Sequence, residues 1–437
     1  MFSYYFKLGV RSLRRNPALT ALMILTLAVG VAASISTLTI LHAMSSDPIP
    51  QKSERLFTVV IDNGALENYN SNDADLHEDQ LSYIDAANLV KGAPAVRKSA
   101  LYGITAAIEP ARADLPALSA VGMATARDFF GMMDVRFLHG QPWSENDDKL
   151  GADVIVISSA LAEKLFGAVD PVGNRIRMNG FDYQITGVMD NFLPVPKFYR
   201  VVGAGAFSQE EEAIVPVSNA VRHETNTQGN MSCDQKRDAG FQGLLKSECT
   251  WVQIWLETRS AGDRADLQNW IDNYAADQRK LGRLKRNAPN KVYDVMQWLQ
   301  YRKVVGNDNR LAVYLAFGFL ALCLVNTVGL LLAKFSVRAA EVGIRRALGA
   351  SRRAIFQQFL IETGVVGLAG AILGLLLSFG ALALIRLQSN QMKIVAHLDW
   401  QMLGMTVLLS LAASLVAGLL PTWRACQVTP AIQLKSQ

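Results

Sequence analysis

The residues that could do chemistry in this sequence are few and scattered. The chain has five histidines, and only His77 lies among carboxylates, with Asp73, Asp75, Glu78 and Asp79 close by in the sequence. That group could touch a metal ion, but acidic clusters beside asparagines are far more often solvated surface loops. We therefore predict no metal site.

Sequence signatures of catalysis are also missing. The chain has no G-x-x-x-x-G-K-[ST] phosphate loop, no H-E-x-x-H helix and no C-x-x-C pair. No nucleophile-elbow motif supports a Ser-His-Asp arrangement. We predict that the chain is not an enzyme, that it holds no cofactor, and that any ATP and Mg²⁺ bind to a partner.

The distribution of charge places the chain in a membrane. It has 437 residues, of which 50% are hydrophobic and 19% are charged, against about 25% charged residues in a typical soluble domain. A helix that crosses a bilayer needs about 20 apolar residues. Four stretches of at least that length contain no Asp, Glu, Lys or Arg: Ala18–Met44, Leu311–Ala333, Thr363–Ile385 and Trp400–Trp423. We predict four transmembrane helices.

The remaining charges predict the orientation. Residues 45–310 contain 35 acidic and 29 basic residues, whereas the rest of the chain contains 3 acidic and 14 basic residues. Because basic residues favour the cytoplasmic side, both termini and the loop between the second and third stretches are expected there. The chain is then an inner-membrane protein with a periplasmic domain. Its net charge of +5 reflects this bias and predicts no nucleic-acid partner.

These observations divide the chain into nine segments. They are a cytoplasmic amphipathic helix (1–17), the first span (18–44), the periplasmic domain (45–310), the second span (311–333), a cytoplasmic loop (334–362), the third span (363–385), a short periplasmic loop (386–399), the fourth span (400–423) and a cytoplasmic tail (424–437). The helix over 1–17 has Phe2, Phe6, Val10 and Leu13 on one face, which fits contact with membrane lipids. A plain extension of the first span is the alternative.

Polar and small residues within the spans give weaker signals. No charged residue lies mid-membrane, where Asn326 is the one side-chain amide. Ion pathways usually need buried ionisable groups, so an ion channel or a secondary transporter is disfavoured. Gly370 and Gly374 form a small-xxx-small pair that lets helices approach closely, either between the third and fourth spans or at a dimer seam.

The periplasmic segment predicts an α+β domain. Val154–Ile157 is typical of a buried strand, followed by a helix that Ser158 or Ser159 could cap. Asn179-Gly180 lies between two alternating runs and predicts a hairpin. A strand is predicted over 251–257, and the helix after it has its apolar face at Leu267, Trp270, Ile271, Tyr274 and Leu281.

Residues 203–248 have a different composition. They are rich in Gly, Asn, Gln and Ser, with acidic residues at 210–212, and we predict a long loop or insertion. Cys233 lies in it and Cys249 directly follows it. In the periplasm these two cysteines are expected to form a disulfide, which would contribute about 3 kcal/mol; two free thiols are the alternative.

The cytoplasmic loop is the most informative stretch. Its sequence R-A-A-E-V-G-I-R-R-A-L-G-A-S predicts a short helix that stops at Gly349, and Ser351 could cap the next helix. A solvated basic loop is the alternative, but such a loop would need no apolar residues, and this one contains Val342, Ile344 and Leu348. We interpret these residues as an exposed docking surface.

This loop resembles the cytoplasmic loop of the FtsX-like permease domain in type VII ABC transporters of the macrolide-exporter (MacB) family. Three periplasmic strings are also similar to that family's core domain: V-I-V-I-S-S-A-L-A-E-K-L-F-G, D-P-V-G-N-R-I-R-M-N-G and Y-Q-I-T-G-V. The ending P-T-W-R-A-C-Q-V-T-P-A-I-Q-L-K fits as well. With one span before and three after the large domain, the resemblance covers nearly the whole chain.

The resemblance implies a dimeric permease, made of two identical subunits or of two sister permeases, that engages an ABC ATPase. ATP-driven closure would be transmitted to the periplasmic domain, with no substrate path through the membrane. The family's namesake carries its ATPase in the same chain, so a separate ATPase subunit is expected here. By residue match, the ATPase-coupling residues are Glu341, Val342, Gly343, Ile344, Arg345, Arg346, Ala347, Leu348, Gly349, Ala350 and Ser351.

Three functions are compatible with this resemblance. The leading hypothesis is export of peptide, antibiotic or lipid-like cargo from the periplasm, through a periplasmic adaptor and an outer-membrane channel. A regulatory permease that activates cell-wall hydrolases, like FtsX itself, is the second; its outer domain would be much smaller. Lipoprotein release of the Lol type is the third.

Overall fold

The computed structural model describes residues 16–61, 64, 79–110, 116–233, 236–397 and 400–427. They form two compact units: Ser46–Val304, and the described parts of Met1–Ser45 and Val305–Gln437. The outer domain therefore ends at Val304, whereas the sequence prediction placed its end at residue 310. Residues 1–15 of the amphipathic helix predicted over 1–17, and most of the tail predicted over 424–437, lie outside the described residues.

The helices of the described residues are given in chain order. They are α1 (Pro17–Ser45), α2 (Tyr83–Gly92), α3 (Asp128–Met132), α4 (Glu145–Leu150), α5 (Ser159–Phe166), α6 (Val201–Ala204), α7 (Val217–Arg222), α8 (Gly240–Leu245), α9 (Arg264–Lys280), α10 (Val295–Tyr301), α11 (Asn307–Ser336), α12 (Ala339–Ala347), α13 (Arg352–Arg386), α14 (Asn390–Val395) and α15 (Trp400–Cys426). By length and composition α1, α11, α13 and α15 could cross a membrane.

These four helices extend beyond the charge-free stretches that predicted them. α11 begins at Asn307 and α13 begins at Arg352, because a helix satisfies its own backbone hydrogen bonds and continues through charged residues at its ends. The segment predicted as a loop over 334–362 is therefore largely helical. Most of its second half belongs to α13, and α12 occupies its centre.

Small residues of α13 pack within the unit. The Ser410 hydroxyl of α15 donates to the Gly367 carbonyl oxygen at 3.0 Å, and a Cβ on Gly370 would meet Leu27 of α1. A Cβ on Gly374 would approach Ala28 of the same helix. The Gly370–Gly374 pair thus packs within the chain, but on the first span, α1, and not on the fourth span as predicted.

The Ser46–Val304 unit contains one mixed sheet. Its strands are β1 (Leu56–Val60), β2 (Leu81–Ser82), β3 (Arg97–Glu109), β4 (Leu118–Thr125), β5 (Phe137–Gly140), β6 (Val154–Ser158), β7 (Arg175–Met178), β8 (Phe181–Met189), β9 (Ala213–Pro216), β10 (Thr227–Gln228), β11 (Thr250–Glu257) and β12 (Lys291–Asp294). The main order is β12-β1-β11-β3-β4-β9-β6-β8-β5. The pairs β4–β9 and β6–β8 are parallel, and the α+β prediction is confirmed.

Two apolar cores cover the two faces of the sheet. Along β3, Leu101 and Tyr102 point to opposite faces and belong to different clusters. Trp255 of β11 lies in the cluster of Leu101, whereas Ile254 lies with Tyr102. A strand buried on both faces lacks polar alternation, which is why β11 is apolar along most of its length.

Several local predictions are confirmed. Ser158 ends β6, and its side chain accepts from the Leu161 backbone N–H at 3.1 Å, so it caps α5. Asn179 and Gly180 join β7 to β8 with φ of 52° and 84°. Leu281 was wrongly assigned to the apolar face of α9: the helix ends at Lys280, and Leu281 is exposed.

The loop prediction for residues 203–248 is wrong at its centre. Residues 213–216 form β9, a buried strand that pairs with β4 on one side and with β6 on the other. The helices α7 and α8 and the short strand β10 also lie in this range. The apolar run Ala-Ile-Val-Pro-Val was the local signal for a strand, but the polar residues around it dominated the composition of the range.

Glu211, in the acidic run before β9, is fully buried and not solvated. Its carboxylate Oε1 lies 3.2 Å from Lys197 Nζ, and Oε2 lies 3.3 Å from Arg200 Nη1. Burial lowers the pKa of Lys197, and the Glu211 carboxylate opposes that shift. Buried charges are tolerated when they are paired in this way.

The two periplasmic cysteines are bonded. Cys233 and Cys249 form a disulfide, and Cys249 is buried where β11 begins. Beside it, Arg283 binds Glu248 at 2.8 Å and Asp85 at 2.9 Å. The disulfide and these ion pairs together attach residues 233–249 to α2 and to the segment after α9.

Candidate functional site

The hairpin between α11 and α13 contains all the predicted coupling residues. α12 ends at Ala347, and Gly349 follows with φ of 97°, a left-handed value that favours glycine. The Ser351 hydroxyl accepts from the Ala354 backbone N–H at 3.2 Å and caps α13. The predicted helix stop and cap are therefore present.

A buried ion cluster holds the base of the hairpin. The Lys334 ammonium lies 2.8 Å from Oε1 of Glu362, and Arg338 Nη1 lies 3.1 Å and 3.3 Å from the two carboxylate oxygens. Lys334 and Glu362 are buried. Since an unpaired buried charge is strongly unfavourable, this cluster fixes the end of α11 and the turn after it against α13.

The sequence prediction placed these three residues in the cytoplasmic loop over 334–362 and did not pair them with one another. The available signal was the position of Glu362, an isolated acid among apolar residues at the start of a membrane span. A carboxylate there needs a cation as partner. Which cation it meets depends on how α11 and α13 pack.

Val342 is part of the interior and not of the exposed surface predicted for it. Its side chain is only 5% exposed and belongs to a cluster with Phe335, Ile355 and Phe359. The Phe335 and Phe359 rings lie 4.4 Å apart, centroid to centroid. Val342 therefore anchors α12 to the spans, and the prediction that it is exposed is wrong.

Arg345 also turns toward the protein. Its guanidinium lies 2.5 Å from Glu341 and 3.1 Å from Gln358 of α13. Between these groups lies a cavity of about 20 Å³, room for little more than one water molecule. Arg345 and Glu341 thus position α12, and the cavity is too small for a ligand such as a nucleotide.

An apolar face remains on the outer side of α12. Ile344 is 58% exposed and Leu348 is 83% exposed, and residues four apart share a helix face. Ala347, between them, is exposed too. We call Ile344, Ala347 and Leu348 the outer face of α12; exposed apolar residues on a rigidly held helix are typical of a binding surface.

Metal binding was tested over the described residues alone. No group of three or more His, Cys, Asp or Glu side chains is arranged to hold a metal ion in that part of the chain. His77 lies outside it, as do Asp73, Asp75 and Glu78.

Comparison with known families matches both units. Residues 20–274 match the model of the MacB-like periplasmic core domain, and residues 313–430 match that of the FtsX-like permease C-terminal domain. The chain belongs to the MacB-like family of ABC transporter permeases. The hairpin between α11 and α13 lies within the FtsX-like part, and β9 lies within the MacB-like part.

Individual members of the family share about a quarter of their residues with this chain. The macrolide export ATP-binding/permease protein MacB of Azoarcus sp. (strain BH72) is 25% identical over 434 residues, which are 98% of this chain and 59% of that protein. The ABC transporter permease YknZ of Bacillus subtilis is 25% identical over 69% of this chain and 66% of its own length. The chain spans a third to two thirds of the length of such relatives.

Among solved structures, the periplasmic region of MacB from Actinobacillus actinomycetemcomitans is similar to this chain. It is 12% identical, with a TM-score of 0.37, over 58% of this chain and 95% of that structure.

Proposed function

We propose that this MacB-like permease works as a pair of permease subunits, coupled to an ABC ATPase on a separate chain. The observation that carries the proposal is the outer face of α12, which is apolar and exposed on a hairpin held by buried ion pairs. An ATPase that binds this face can move α12 as a rigid piece. Two apolar side chains one turn apart suit a groove on such a partner.

The hairpin can pass such a movement along α11. Lys334 lies at the cytoplasmic end of this helix and is bound to Glu362, so a shift of α12 and of the turn before it would act on both neighbouring helices. α11 has 30 residues and is therefore about 45 Å long. Its first residue, Asn307, follows soon after Val304, where the periplasmic unit ends. This continuity supports mechanical transmission of ATP-driven closure.

We propose export from the periplasm as the transport task, with peptide, antibiotic or lipid-like cargo, an adaptor and an outer-membrane channel as predictions. Several relatives are named as macrolide export proteins. The outer unit of Ser46–Val304 offers a large periplasmic surface for such partners. Activation of cell-wall hydrolases and release of lipoproteins are the competing outcomes.

The test is purification of the tagged chain from its own membrane in mild detergent, followed by mass spectrometry of stoichiometric companions. An ABC ATPase together with a periplasmic adaptor is the expected result. An ATPase with a cell-wall hydrolase or with a lipoprotein carrier would replace the export proposal. The absence of any ATPase across several detergents would overturn the coupling proposal itself.

A further inference from the structure

An open groove of about 660 Å³ lies in the Ser46–Val304 unit, where β5 begins and β8 ends. Its walls come from three segments: residues 48–51 before β1, residues 133–136 before β5, and residues 190–198 after β8. The volume falls within the range of about 300–1,000 Å³ that is typical of sites for small molecules. The groove is therefore large enough to hold a ligand.

Two charged side chains in the groove have no partner within the part of the chain that the structure describes. Arg136 and Asp190 both line the groove, and neither side chain makes a hydrogen bond or an ion pair with a described residue. The two residues face each other where the strands meet, because the Asp190 backbone N–H donates to the Arg136 carbonyl oxygen at 2.9 Å. A guanidinium and a carboxylate in one groove complement a ligand that has an anionic and a cationic group close together.

Asp134, the other acidic residue of the groove, already has its partners. Lys52 Nζ lies 2.5 Å from Oδ1 of Asp134, and the Gln51 side-chain amide donates to Oδ2 at 3.1 Å. Lys52 also donates to the Gly131 carbonyl oxygen at 2.7 Å, so its position is fixed from two sides. Asp190 is therefore the carboxylate that is available to a cationic group of a ligand.

Apolar side chains line the same groove and favour a ligand that also has an apolar part. Ile49, Phe192 and Leu193 are among them. The Phe192 ring is stacked on Tyr199 at 5.7 Å and meets Phe129 edge-on at 5.9 Å, centroid to centroid, so this wall is held in place. A free amino acid would match the two charges but would leave these apolar groups uncovered. Ile49 follows α1 by four residues, so this wall is close in the chain to a membrane span.

We propose that this groove binds the head group of a zwitterionic phospholipid, with the phosphate on Arg136 and the ammonium group on Asp190. Arginine suits a phosphate because its planar guanidinium can donate two parallel hydrogen bonds to it. The glycerol end and the first carbons of the acyl chains would cover Phe192 and Leu193. The inference deepens the proposed function, because it names one class within the lipid-like cargo, and it rests on that proposal for the task of transport.

The test uses the full chain, purified in detergent without an ATPase. Dihexanoyl phosphatidylethanolamine is titrated by calorimetry, and the heat of its mixing with empty micelles is subtracted. Dihexanoyl phosphatidylglycerol is the comparison, because it has the phosphate but no ammonium group. We expect the chain to bind the ethanolamine lipid about tenfold more tightly, the usual weight of one hydrogen bond to a charged group. Equal affinities for the two lipids would overturn the proposal.

Two variants separate the roles of the two charges. Arg136→Gln should weaken the binding of both lipids about tenfold, whereas Asp190→Asn should weaken only that of the ethanolamine lipid. General damage to the fold would not produce this second pattern. The matched controls are Arg175→Gln and Glu163→Gln, which change exposed charges of the same unit and should bind both lipids as the unmodified chain does. Unchanged affinities in Arg136→Gln and Asp190→Asn would contradict the assignment.

A third probe tests for a different ligand. Glycine has an ammonium group and a carboxylate but neither a phosphate nor an apolar part. If glycine displaces the ethanolamine lipid at a similar concentration, the groove is a site for free amino acids and the proposal is wrong. Because no ATPase is present in the sample, failure to find an ATPase companion together with intact lipid binding would count against the proposed coupling alone. Lack of lipid binding in a chain that copurifies with its ATPase would count against this inference alone.

Discussion

The Lys334 ammonium lies 2.8 Å from the Glu362 carboxylate, and neither side chain reaches solvent. This ion pair joins the last turn of α11 to α13 at the level where the cytoplasmic hairpin begins. Arg338 binds the same carboxylate from the turn between α11 and α12. The Glu362 side chain thus holds α11 and the turn after it against α13. The orientation of α12 depends on this cluster.

Glu362→Gln is therefore expected to be strongly destabilising. The variant leaves the buried Lys334 and the partly buried Arg338 without a countercharge, a change that costs about 3–5 kcal/mol in comparable sites. Thermal unfolding in detergent measures it. The matched control is Glu341→Gln, which removes the partly exposed pair with Arg345 and should cost about 0.5 kcal/mol or less. Equal effects of the two variants would show that the buried cluster does not hold the hairpin.

Leu348→Asp should abolish binding of the ATPase and leave the permease folded. A charge on the outer face of α12 would have to be buried in the complex, so we expect affinity to fall by about tenfold or more. The control is Leu150→Asp on α4: Leu150 is 69% exposed and lies in the other unit. Copurification of the ATPase with each variant is the measurement. Full copurification of the ATPase with Leu348→Asp would show that the outer face of α12 is not its docking site.

Ile214→Ala tests whether residues 203–248 contain a core strand. Ile214 lies in β9 between β4 and β6 and is completely buried. Removing its side chain is expected to cost about 2–5 kcal/mol of unfolding free energy. Val169→Ala, at an exposed site of the same unit, should change stability by no more than about 0.5 kcal/mol. If denaturant unfolding of the intact chain does not distinguish the two, the segment is the insertion that its composition suggested.

The disulfide predicts sensitivity to reductant. The bond between Cys233 and Cys249 closes a separation of 16 residues, and its reduction should lower the unfolding free energy by about 3 kcal/mol. Unfolding with and without dithiothreitol is the measurement. Cys233→Ala/Cys249→Ala serves as the control, because it should be less stable from the start and indifferent to the reductant. Labelling of both thiols in the intact periplasm would contradict the bond.

The parts of the fold that follow from local pattern were predicted from the sequence. The four apolar helices are visible in the sequence as charge-free stretches. The helix caps at Ser158 and Ser351, the hairpin turn at Asn179-Gly180 and the helix end at Gly349 each depend on residues a few positions away. Even the disulfide followed from two residue types and a compartment. Each of these features depends on residues within one short stretch of the chain, so the local sequence is enough to predict it.

Tertiary structure determines which residues of the hairpin between α11 and α13 are buried. Val342 lies in α12 and Leu348 directly follows it, and both are apolar, yet the first is buried against Phe359 and the second is exposed. The difference comes from where α11 and α13 lie beside α12. Local pattern marks both residues as apolar but does not say which of them meets a neighbouring helix.

Contacts between distant parts of the chain likewise determine the partners of the buried charges and the position of β9 in the sheet. Glu362 meets Lys334 from 28 residues away in the chain, and Glu211 meets Lys197 and Arg200 only because that segment folds over the sheet. β9 pairs parallel to β4 and antiparallel to β6, so the chain around it must leave the sheet and return. The sequence by itself determined which segments are apolar and where helices stop. Only the tertiary structure decided which of those residues bind one another, because a partner distant in the chain leaves no trace in the local pattern.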